Sequence, residues 1–473
     1  MNHKRIALVN YTPSYFLPFG QALEQTGFET YWVNSLHSDA LFLSKHGIPV
    51  NRNLDTTAFD PSTLSLEECR TRLSLLEGED RPRINDIIMM DRLLRTRKYD
   101  YAIKYLGHLE KVVTAFLQDN RIALVSSGRD TALQLLTMLI CRRLSIPWVV
   151  PTRVRIPQEM YGFCQRHDTE GLIRFREVTS EDRAWAERFL DDFSKKSLRP
   201  ALKKSARGLV DVLRLLPVHA RAFVREIQKS IVDSDSYYVR YTIPSLIRMY
   251  IRRRINLLKY VLFTPYADVG NGPFCLYAMH TQPESSIDVV GSYFSDQMAL
   301  ITFISRSLPI SHELYVKIHP TDVDGQTLAY YRRIAKIPGV RLIGHAVDSR
   351  DLLQQTSLVF TVSGTIAYEA GLMGKPVVTF ARNFFNNMPT IHFCDAPPRL
   401  MALVDSLLDS EVPGDIHDQL IEFLAGLRAS SFDGEVNRSW DREGGSPTSL
   451  AEKDLATLQT AYDHLYHYWH TPS

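Results

Sequence analysis

The sequence predicts an α/β protein with two doubly wound domains separated by a basic helical segment. Two observations predict this class: short apolar strands alternate with helices over residues 5–151, and the alternation resumes over 274–380. At 473 residues the chain is also too long for one ordinary core. We therefore expect an N-terminal α/β domain (1–164), a basic helical insert (165–262), a C-terminal α/β domain (263–430), and a loop with a closing helix (431–473).

The N-terminal domain opens with a strand, a helix and a second strand. An apolar stretch over 5–10 predicts the first strand, and helical periodicity follows over 16–25 until Gly27 ends it before a strand at 29–33. No GxGxxG sequence occurs in this unit, so a dinucleotide site has no support. A second unit is predicted from a strand over 121–127, a helix over 131–144 and a strand over 146–151.

The middle of the chain is strongly basic. Between Lys195 and Lys259, sixteen Lys and Arg residues stand against four Asp and Glu, in a chain whose formal net charge is +2. The stretches 209–227 and 243–258 place apolar residues at helical spacing with Arg on the other face. This segment predicts contact with an anionic partner, such as the inner face of the cytoplasmic membrane or a phosphorylated glycan carrier. The alternative is that these charges only solvate helices.

The C-terminal domain repeats the alternation. Residues 433–449, rich in Gly, Ser, Pro and charge, predict a loop, and 454–468 predict the closing helix. Ligands of parallel sheets bind beyond the carboxyl ends of the strands, so we expect the site in the loops that follow them. The predicted strands are 274–279, 313–318, 340–343, 358–362 and 376–380, and the predicted helices are 295–307, 327–334, 349–355 and 365–373.

Cysteine usage and hydropathy favour a cytoplasmic protein that is soluble or peripheral on a membrane. No uninterrupted apolar run is long enough to span a bilayer, and the N-terminal residues predict a strand rather than a cleavable signal. The cysteines are odd in number, lie far apart and have no metal-ligand spacing, which argues for a reducing compartment. They are Cys69, Cys141, Cys164, Cys275 and Cys394.

The first candidate loop follows the strand at 274–279. It contains Gln282, Pro283 and Glu284, and its proline stiffens the turn that delivers Glu284 at the strand end. A carboxylate there can face a ligand, whereas the alternative is a glutamate that solvates a surface loop. Asp288 is the reserve candidate, one helical turn later if the loop coils.

The second candidate loop follows the strand at 313–318. Lys317 can reach a phosphate as a point charge. His319, fixed by Pro320, can donate to a phosphate or protonate a leaving oxygen, and with Lys317 it can supply positive charge. The sequence Asp322-Val323-Asp324 just beyond predicts a solvated turn rather than a metal site.

The third candidate loop joins the strand at 358–362 directly to a helix. Ser363, Gly364 and Thr365 offer two hydroxyls and free backbone N–H groups at a helix N-terminus, which favours an anion. Glu369 lies one turn later and can hold a ribose hydroxyl. The alternative for the hydroxyls is simple N-capping.

In this order and spacing, the sequences FCLYAMHTQPESS, LYVKIHP and FTVSGTIAYEAGLMGKPVVTF resemble the bacterial capsular polysaccharide biosynthesis proteins. That family includes GT-B glycosyltransferases, with two α/β domains facing a cleft, and β-Kdo transferases that use CMP-Kdo. The resemblance covers 272–390 and implies a nucleotide-sugar site at the matching motifs. These site residues are Gln282, Glu284, His319, Pro320, Ser363, Gly364 and Thr365. Ile318 stands before His319 where the family pattern has Glu.

The resemblance implies transfer of Kdo or a related ulosonic acid from CMP to a surface polysaccharide or its lipid-linked precursor. A CMP-sugar carries one phosphate rather than a diphosphate, so its leaving group needs less help from a cation, and we expect neither a cofactor nor a metal. We expect Glu284 to stabilise or capture the sugar cation, and Asp130, chosen because it follows a buried strand, to be the base. Two alternatives stay open: a GT-B enzyme that uses a UDP- or GDP-sugar as transferase or 2-epimerase, and a scaffold that binds glycan without catalysis.

Overall fold

The structure is a computed structural model, and it divides the chain into two compact units. The first comprises Met1–Glu177, Lys229–Thr242 and Ser430–Ser473, and the second comprises Val178–Gln228 and Ile243–Ala429. The residues that the structure describes are 4–79, 82–157, 159–195, 220–221, 223–228, 231, 242–319, 325–411, 413–434 and 452–470.

The first unit is built around a mostly parallel sheet with the described strand order β13-β6-β5-β4-β1-β2-β3. Strands β1 to β5 pair in parallel, whereas β6 runs antiparallel to β5 and β13 antiparallel to β6. The strands are β1 Lys4–Val9, β2 Phe28–Asn34, β3 Asn53–Asp55, β4 Leu124–Ser127, β5 Trp148–Arg153, β6 Met160–Cys164 and β13 Ser431–Asp433. The helices are α1 Pro13–Gln25, α2 His37–Lys45, α3 Leu66–Ser74, α4 Ile84–Met90, α5 Tyr99–Asp119, α6 Ala132–Leu144 and α15 Glu452–His470.

The second unit contains a sheet whose described strands are all parallel, in the order β12-β11-β10-β7-β8-β9. The strands are β7 Phe274–Ala278, β8 Glu313–Lys317, β9 Val340–Ile343, β10 Leu358–Thr361, β11 Val377–Thr379 and β12 Ile391–Phe393. The helices are α7 Ser180–Lys195, α8 Ile243–Phe263, α9 Gln297–Ser307, α10 Leu328–Ile334, α11 Ser349–Gln355, α12 Thr365–Leu372, α13 Leu400–Asp409 and α14 Ile416–Ala429.

The central strands of both sheets are covered on two faces. Every residue of β4 and β10 is buried, as expected of parallel strands that lie between helices. The predicted α/β class with two doubly wound units is therefore confirmed. No described helix is long and apolar enough to cross a membrane.

The unit boundaries differ from the predicted segments at the C-terminus. Residues 430–473 belong to the first unit rather than standing apart. The physical reason is an aromatic face on α15: the Tyr462 ring lies 5.2 Å from that of Phe19, and its hydroxyl is 2.5 Å from Ser126 Oγ. This packing buries Tyr462 completely in the core that surrounds β1 and β4.

The predicted insert over 165–262 is not a unit of its own. Its first part belongs to the first unit, while α7 and α8 belong to the second. Helix α7 packs on α14 there, with an Arg183–Glu422 ion pair of 2.5 Å between them. Much of the predicted insert, including 201–219, lies outside the described residues.

Candidate functional site

The order of strands in the second unit places the candidate site. From β7, the next two strands in the chain, β8 and β9, are added on one side of the sheet, whereas β10 pairs with the other side of β7. The order of strands therefore changes side between β7 and β10. In doubly wound sheets, ligands bind at such a point, just beyond the carboxyl ends of the strands. The three predicted motifs follow β7, β8 and β10, so the fold brings them to one edge.

His280 joins the loops after β7 and β10. Its Nε2 lies 3.0 Å from Thr361 Oγ1 and accepts from the Ser363 backbone N–H at 3.3 Å. The side chain is buried. Burial, with a smaller effect from His319, lowers the pKa of His280 to about 3. The imidazole is therefore neutral at pH 7, and its Nε2 accepts a hydrogen bond instead of carrying charge.

His319 follows β8 and is linked to the loop after β7, because Thr281 Oγ1 lies 2.9 Å from its Nδ1. Burial and then the Lys317 ammonium lower the pKa of His319 to about 4. This corrects the prediction that His319 shares in supplying positive charge: at pH 7 the ring is neutral. It can still donate an N–H to a phosphate oxygen.

Lys317 is the last residue of β8 and brings a cation to this edge of the sheet. Only 4% of the residue is exposed, and its Nζ donates to the carbonyl of His345 at 3.4 Å. A buried ammonium interacts strongly with an anion because little water screens the pair. Lys317 is therefore the residue at this edge best suited to hold a phosphate.

The start of α12 is fixed by contacts within the protein. Ser363 Oγ donates to the Ser286 carbonyl, and the Gly364 N–H donates to Thr361 Oγ1 at 3.2 Å. A Cβ at Gly364 would lie 2.8 Å from that same Thr361 oxygen, so the turn requires glycine. The Ser363 hydroxyl is thus engaged internally, contrary to the prediction of two hydroxyls offered to an anion. The exposed Thr365 begins the helix.

Gln282 has a structural contact at each end of its amide. Its Nε2 donates to the Ser295 carbonyl at 2.9 Å, and its Oε1 accepts from Gln297 Nε2 at 3.0 Å. Gln297 also bonds both backbone groups of His280, at 2.8 and 3.0 Å. The predicted ligand-binding role of Gln282 is therefore replaced by a positioning role: it fixes the loop that carries His280.

The carboxylates after β7 differ in exposure. Glu284 is exposed, whereas Asp288 is buried and accepts from the Glu284 backbone N–H at 3.0 Å. Asp288 lies in the π-helical turn Ser286–Val290 and is engaged by the loop that precedes it. Glu284 is the carboxylate that a ligand can reach, and the half-buried Glu369 lies on α12.

Asp130 belongs to the first unit, at the carboxyl end of β4, where that sheet also reverses direction between β1 and β4. Its carboxylate is exposed, and its backbone N–H donates to Gln134 Oε1 at 2.8 Å. The neighbouring Arg129 has a buried Nη1 with no hydrogen-bond partner in the described structure. Burial lowers the pKa of Arg129, and the Asp130 charge opposes this.

Two predicted features lie outside the described residues: Pro320 and the Asp322–Asp324 pair. Among the described residues, no three His, Cys, Asp or Glu side chains are grouped as metal ligands. Metal independence stays a prediction.

Sequence reasoning left out the residues that hold the loops together, His280, Thr361 and Gln297. His280 directly follows the strand, which is the one signal that could have singled it out. Its contact with Thr361 joins residues 81 positions apart and depends on the pairing of β7 with β10.

Residues 230–389 match the sequence model of a family described as capsule polysaccharide biosynthesis protein. The matched stretch contains all three motifs, and it confirms the predicted resemblance for that part of the chain. A capsule polysaccharide modification protein, LipA of Neisseria meningitidis serogroup B (strain ATCC BAA-335 / MC58), is 32% identical over 68 residues. That alignment covers 14% of this chain and 10% of the relative.

This chain is similar to two kinds of solved structure, Kdo transferases and UDP-GlcNAc 2-epimerases, at low sequence identity. The KpsC β-Kdo 2,7 transferase of Thermosulfurimonas dismutans is 12% identical, with 74% of this chain and 90% of that chain covered and a TM-score of 0.32. The UDP-GlcNAc 2-epimerase of Neisseria meningitidis, bound to UDP-GlcNAc, is 12% identical, with 90% and 97% covered and a TM-score of 0.31. Similarity at this level assigns neither substrate nor site.

Proposed function

We propose that this chain, whose residues 230–389 match the capsule polysaccharide biosynthesis family, is a GT-B glycosyltransferase. Its donor is a CMP-activated ulosonic acid such as Kdo, and its acceptor is a bacterial surface polysaccharide or the lipid-linked precursor. The observation that carries the proposal is the edge formed by the carboxyl ends of β7, β8 and β10. There the buried Lys317 lies near the neutral His319, and the first turn of α12 follows β10, which pairs on the other side of β7.

This edge suits a single phosphate. The Lys317 ammonium supplies one positive charge, the neutral His319 supplies an N–H donor, and the α12 N-terminus adds its dipole. The leaving group of a CMP-sugar is CMP, a phosphate monoester that carries less charge to neutralise than the diphosphate that leaves a UDP- or GDP-sugar. The same groups therefore bind the nucleotide and stabilise the leaving group.

The bond from the anomeric carbon to the phosphate oxygen breaks with its electrons passing to the CMP phosphate. The exposed Glu284 carboxylate then stabilises the resulting oxocarbenium ion or captures it as a glycosyl ester. The acceptor hydroxyl forms the new bond to that carbon, any bond to Glu284 breaks with its electrons returning to the carboxylate, and the hydroxyl proton passes to Asp130. We assign the exposed Thr365 and the half-buried Glu369 to the nucleotide-sugar side of this reaction. Ser363 and Gly364 hold the start of α12 in place through their contacts with Ser286 and Thr361.

The test is nucleotide release from a panel of CMP-, UDP- and GDP-sugars, with and without oligosaccharide acceptor. We expect CMP release from CMP-Kdo that survives EDTA and that acceptor raises well above the slow acceptor-free hydrolysis of the donor. Isomerisation of a UDP-sugar without acceptor would instead identify an epimerase, and acceptor binding without turnover would identify a scaffold. Loss of activity in EDTA with recovery in Mg²⁺ would overturn both the metal independence and the assigned roles of Lys317 and His319.

A further inference from the structure

Helix α8, Ile243–Phe263, is held in the second unit by one face. Leu246, Leu257 and Tyr260 are buried on that face. The Tyr260 hydroxyl lies 2.7 Å from His345 Nδ1, and its ring packs edge-on against that of Tyr331 at 5.4 Å. The orientation of α8 on the unit is therefore fixed, and so is the face that it turns outward.

The outward face of α8 is apolar. Five large aliphatic side chains at helical spacing form one stripe along about four turns, each more than two-fifths exposed. Exposed aliphatic residues are ordinary when scattered, but a contiguous stripe marks a surface that meets another apolar phase. The exposed fractions of the stripe residues are Ile247 42%, Ile251 52%, Ile255 45%, Leu258 41% and Leu262 55%.

Positive charge borders this stripe. The exposed Arg248, Arg252 and Lys259 lie along one flank by helical spacing, and Arg254 lies on the other. The helix contains no Asp or Glu, so its basic residues are uncompensated by acids of its own. An outward apolar stripe between basic flanks is the pattern of a helix that lies in the plane of a membrane surface.

From this pattern we infer that α8 docks the chain on an anionic phospholipid bilayer, independently of the sugar chemistry. The stripe enters the boundary between headgroups and acyl chains, while the flanking cations contact phospholipid phosphates. A second copy of the chain matches the surface less well, because pairing two α8 stripes would bring their like-charged flanks together. The bilayer complements both the apolar and the basic part.

The test uses the full-length chain in flotation with two kinds of vesicle. One is pure phosphatidylcholine, and the other contains equal parts of phosphatidylcholine and phosphatidylglycerol. Wild type is compared with three variants. The stripe variant combines Ile251→Ser and Ile255→Ser, the flank variant combines Arg248→Gln and Arg252→Gln, and the single substitution Ile310→Ser is the control. Ile310 is fully exposed in the same unit but lies outside α8.

We expect wild type and the Ile310→Ser variant to bind the phosphatidylglycerol vesicles with the same affinity and to bind phosphatidylcholine far more weakly. The flank variant should bind about 30-fold more weakly, since two basic residues each contribute about 1 kcal/mol at an anionic surface. Its binding should also depend less steeply on salt than that of wild type, because two of the four flanking cations are gone. The stripe variant should bind at least about tenfold more weakly and keep the salt dependence of wild type.

Two results would overturn the inference. One is wild-type chain that shows no preference for anionic vesicles. The other is unchanged vesicle affinity in both α8 variants. Light scattering on the same samples identifies the competing occupant: a dimer that the stripe variant abolishes, without vesicle binding, would assign the stripe to a second copy. Circular dichroism confirms that each variant is folded, as expected for substitutions at exposed positions.

Discussion

The two sheets reverse direction in the same way but carry different chemistry at the reversal. In the second unit the loops after β7 and β10 are tied together through His280, and a buried lysine ends β8 between them and β9. In the first unit Asn10 Nδ2 donates to Thr131 Oγ1 at 3.4 Å, and Ser35 Oγ donates to Asn10 Oδ1. The charged groups there include the half-buried Arg129, the exposed Asp130 and Asp91, whose carboxylate accepts from the Ala132 N–H at 2.8 Å.

This difference matches a division of labour. Buried groups that hydrogen bonds hold between two loops are already in position before a ligand binds. Such groups suit a phosphate, which has the same shape and position in every nucleotide sugar. An exposed carboxylate such as Asp130 is less constrained, which suits an acceptor that varies in length. In the proposed function the nucleotide binds to the second unit and the first unit activates the acceptor, and the predictions for Glu284 and Asp130 separate these roles.

The largest expected effect is at Glu284. Glu284→Gln preserves shape and removes charge, so the oxocarbenium ion loses its stabilising carboxylate. We expect turnover to fall at least about a hundredfold with CMP affinity unchanged, and donor hydrolysis without acceptor to fall equally. Kinetics of CMP release with and without acceptor measure both. Asp268→Asn, at another exposed carboxylate of the same unit, is the control. Near-normal turnover would remove Glu284 from the mechanism.

Asp130→Asn should separate transfer from hydrolysis. Loss of the base impairs attack by the acceptor hydroxyl, so we expect transfer to fall by about a hundredfold, the lower end for a general base. Acceptor-free donor hydrolysis should stay close to wild type, unlike in Glu284→Gln. Equal loss of both activities would contradict the assignment of Asp130 to the acceptor side.

Acid should destabilise the fold through three histidines that are buried or half-buried. Burial lowers the pKa of His280 to about 3 and of His167 and His319 to about 4, below the unfolded value of about 6.5. The unfolded chain therefore binds more protons between about pH 6.5 and 4, and the free energy of unfolding falls as the pH is lowered through that window. Urea unfolding at pH 7 and pH 5 measures the decrease.

The matched comparison is His319→Gln against His417→Gln, an exposed histidine in the same unit. The first variant should lose less stability between pH 7 and pH 5 than wild type, and the second should behave as wild type. An identical decrease in all three proteins would show that His319 is not held neutral in the folded chain.

Gln282 should matter for stability more than for affinity. Gln282→Ala removes the contacts with Ser295 and Gln297, so we expect the free energy of unfolding to fall by about 1–2 kcal/mol. CMP affinity should change by less than about threefold, well under the loss of one charge-assisted hydrogen bond. Thermal unfolding and calorimetry measure the two quantities. A stable variant with much weaker CMP binding would restore the ligand-binding role predicted from the motif.

The elements were predictable from local pattern, whereas the contacts between loops were not. The bounds of β9, Val340–Ile343, and of α11, Ser349–Gln355, agree with the hydrophobic periodicity. The Ser363 hydroxyl donates a hydrogen bond to the Ser286 carbonyl, 77 residues earlier in the chain. This hydrogen bond depends on which strands pair, and a motif does not encode that. The motif therefore did not reveal that the Gln282 amide and the Ser363 hydroxyl are engaged within the protein.

Burial also changed what the residue types implied. A histidine next to a lysine suggests two cations, but desolvation and mutual repulsion leave His319 neutral. The same effect could not be foreseen for His280, because its burial depends on packing against β10. Residue identity predicted the chemistry available at this edge, and tertiary structure decided its protonation.

The most direct test of the nucleotide assignment is calorimetry of CMP with wild type, His319→Ala and Lys317→Met. Lys336→Met, at an exposed lysine of the same unit, is the control. We expect wild type and the control to bind equally, and both site variants to bind at least about tenfold more weakly, since charge-assisted hydrogen bonds contribute about 1.5–3 kcal/mol. Unchanged CMP affinity in folded His319→Ala and Lys317→Met proteins would contradict the placement of the phosphate at the carboxyl end of β8.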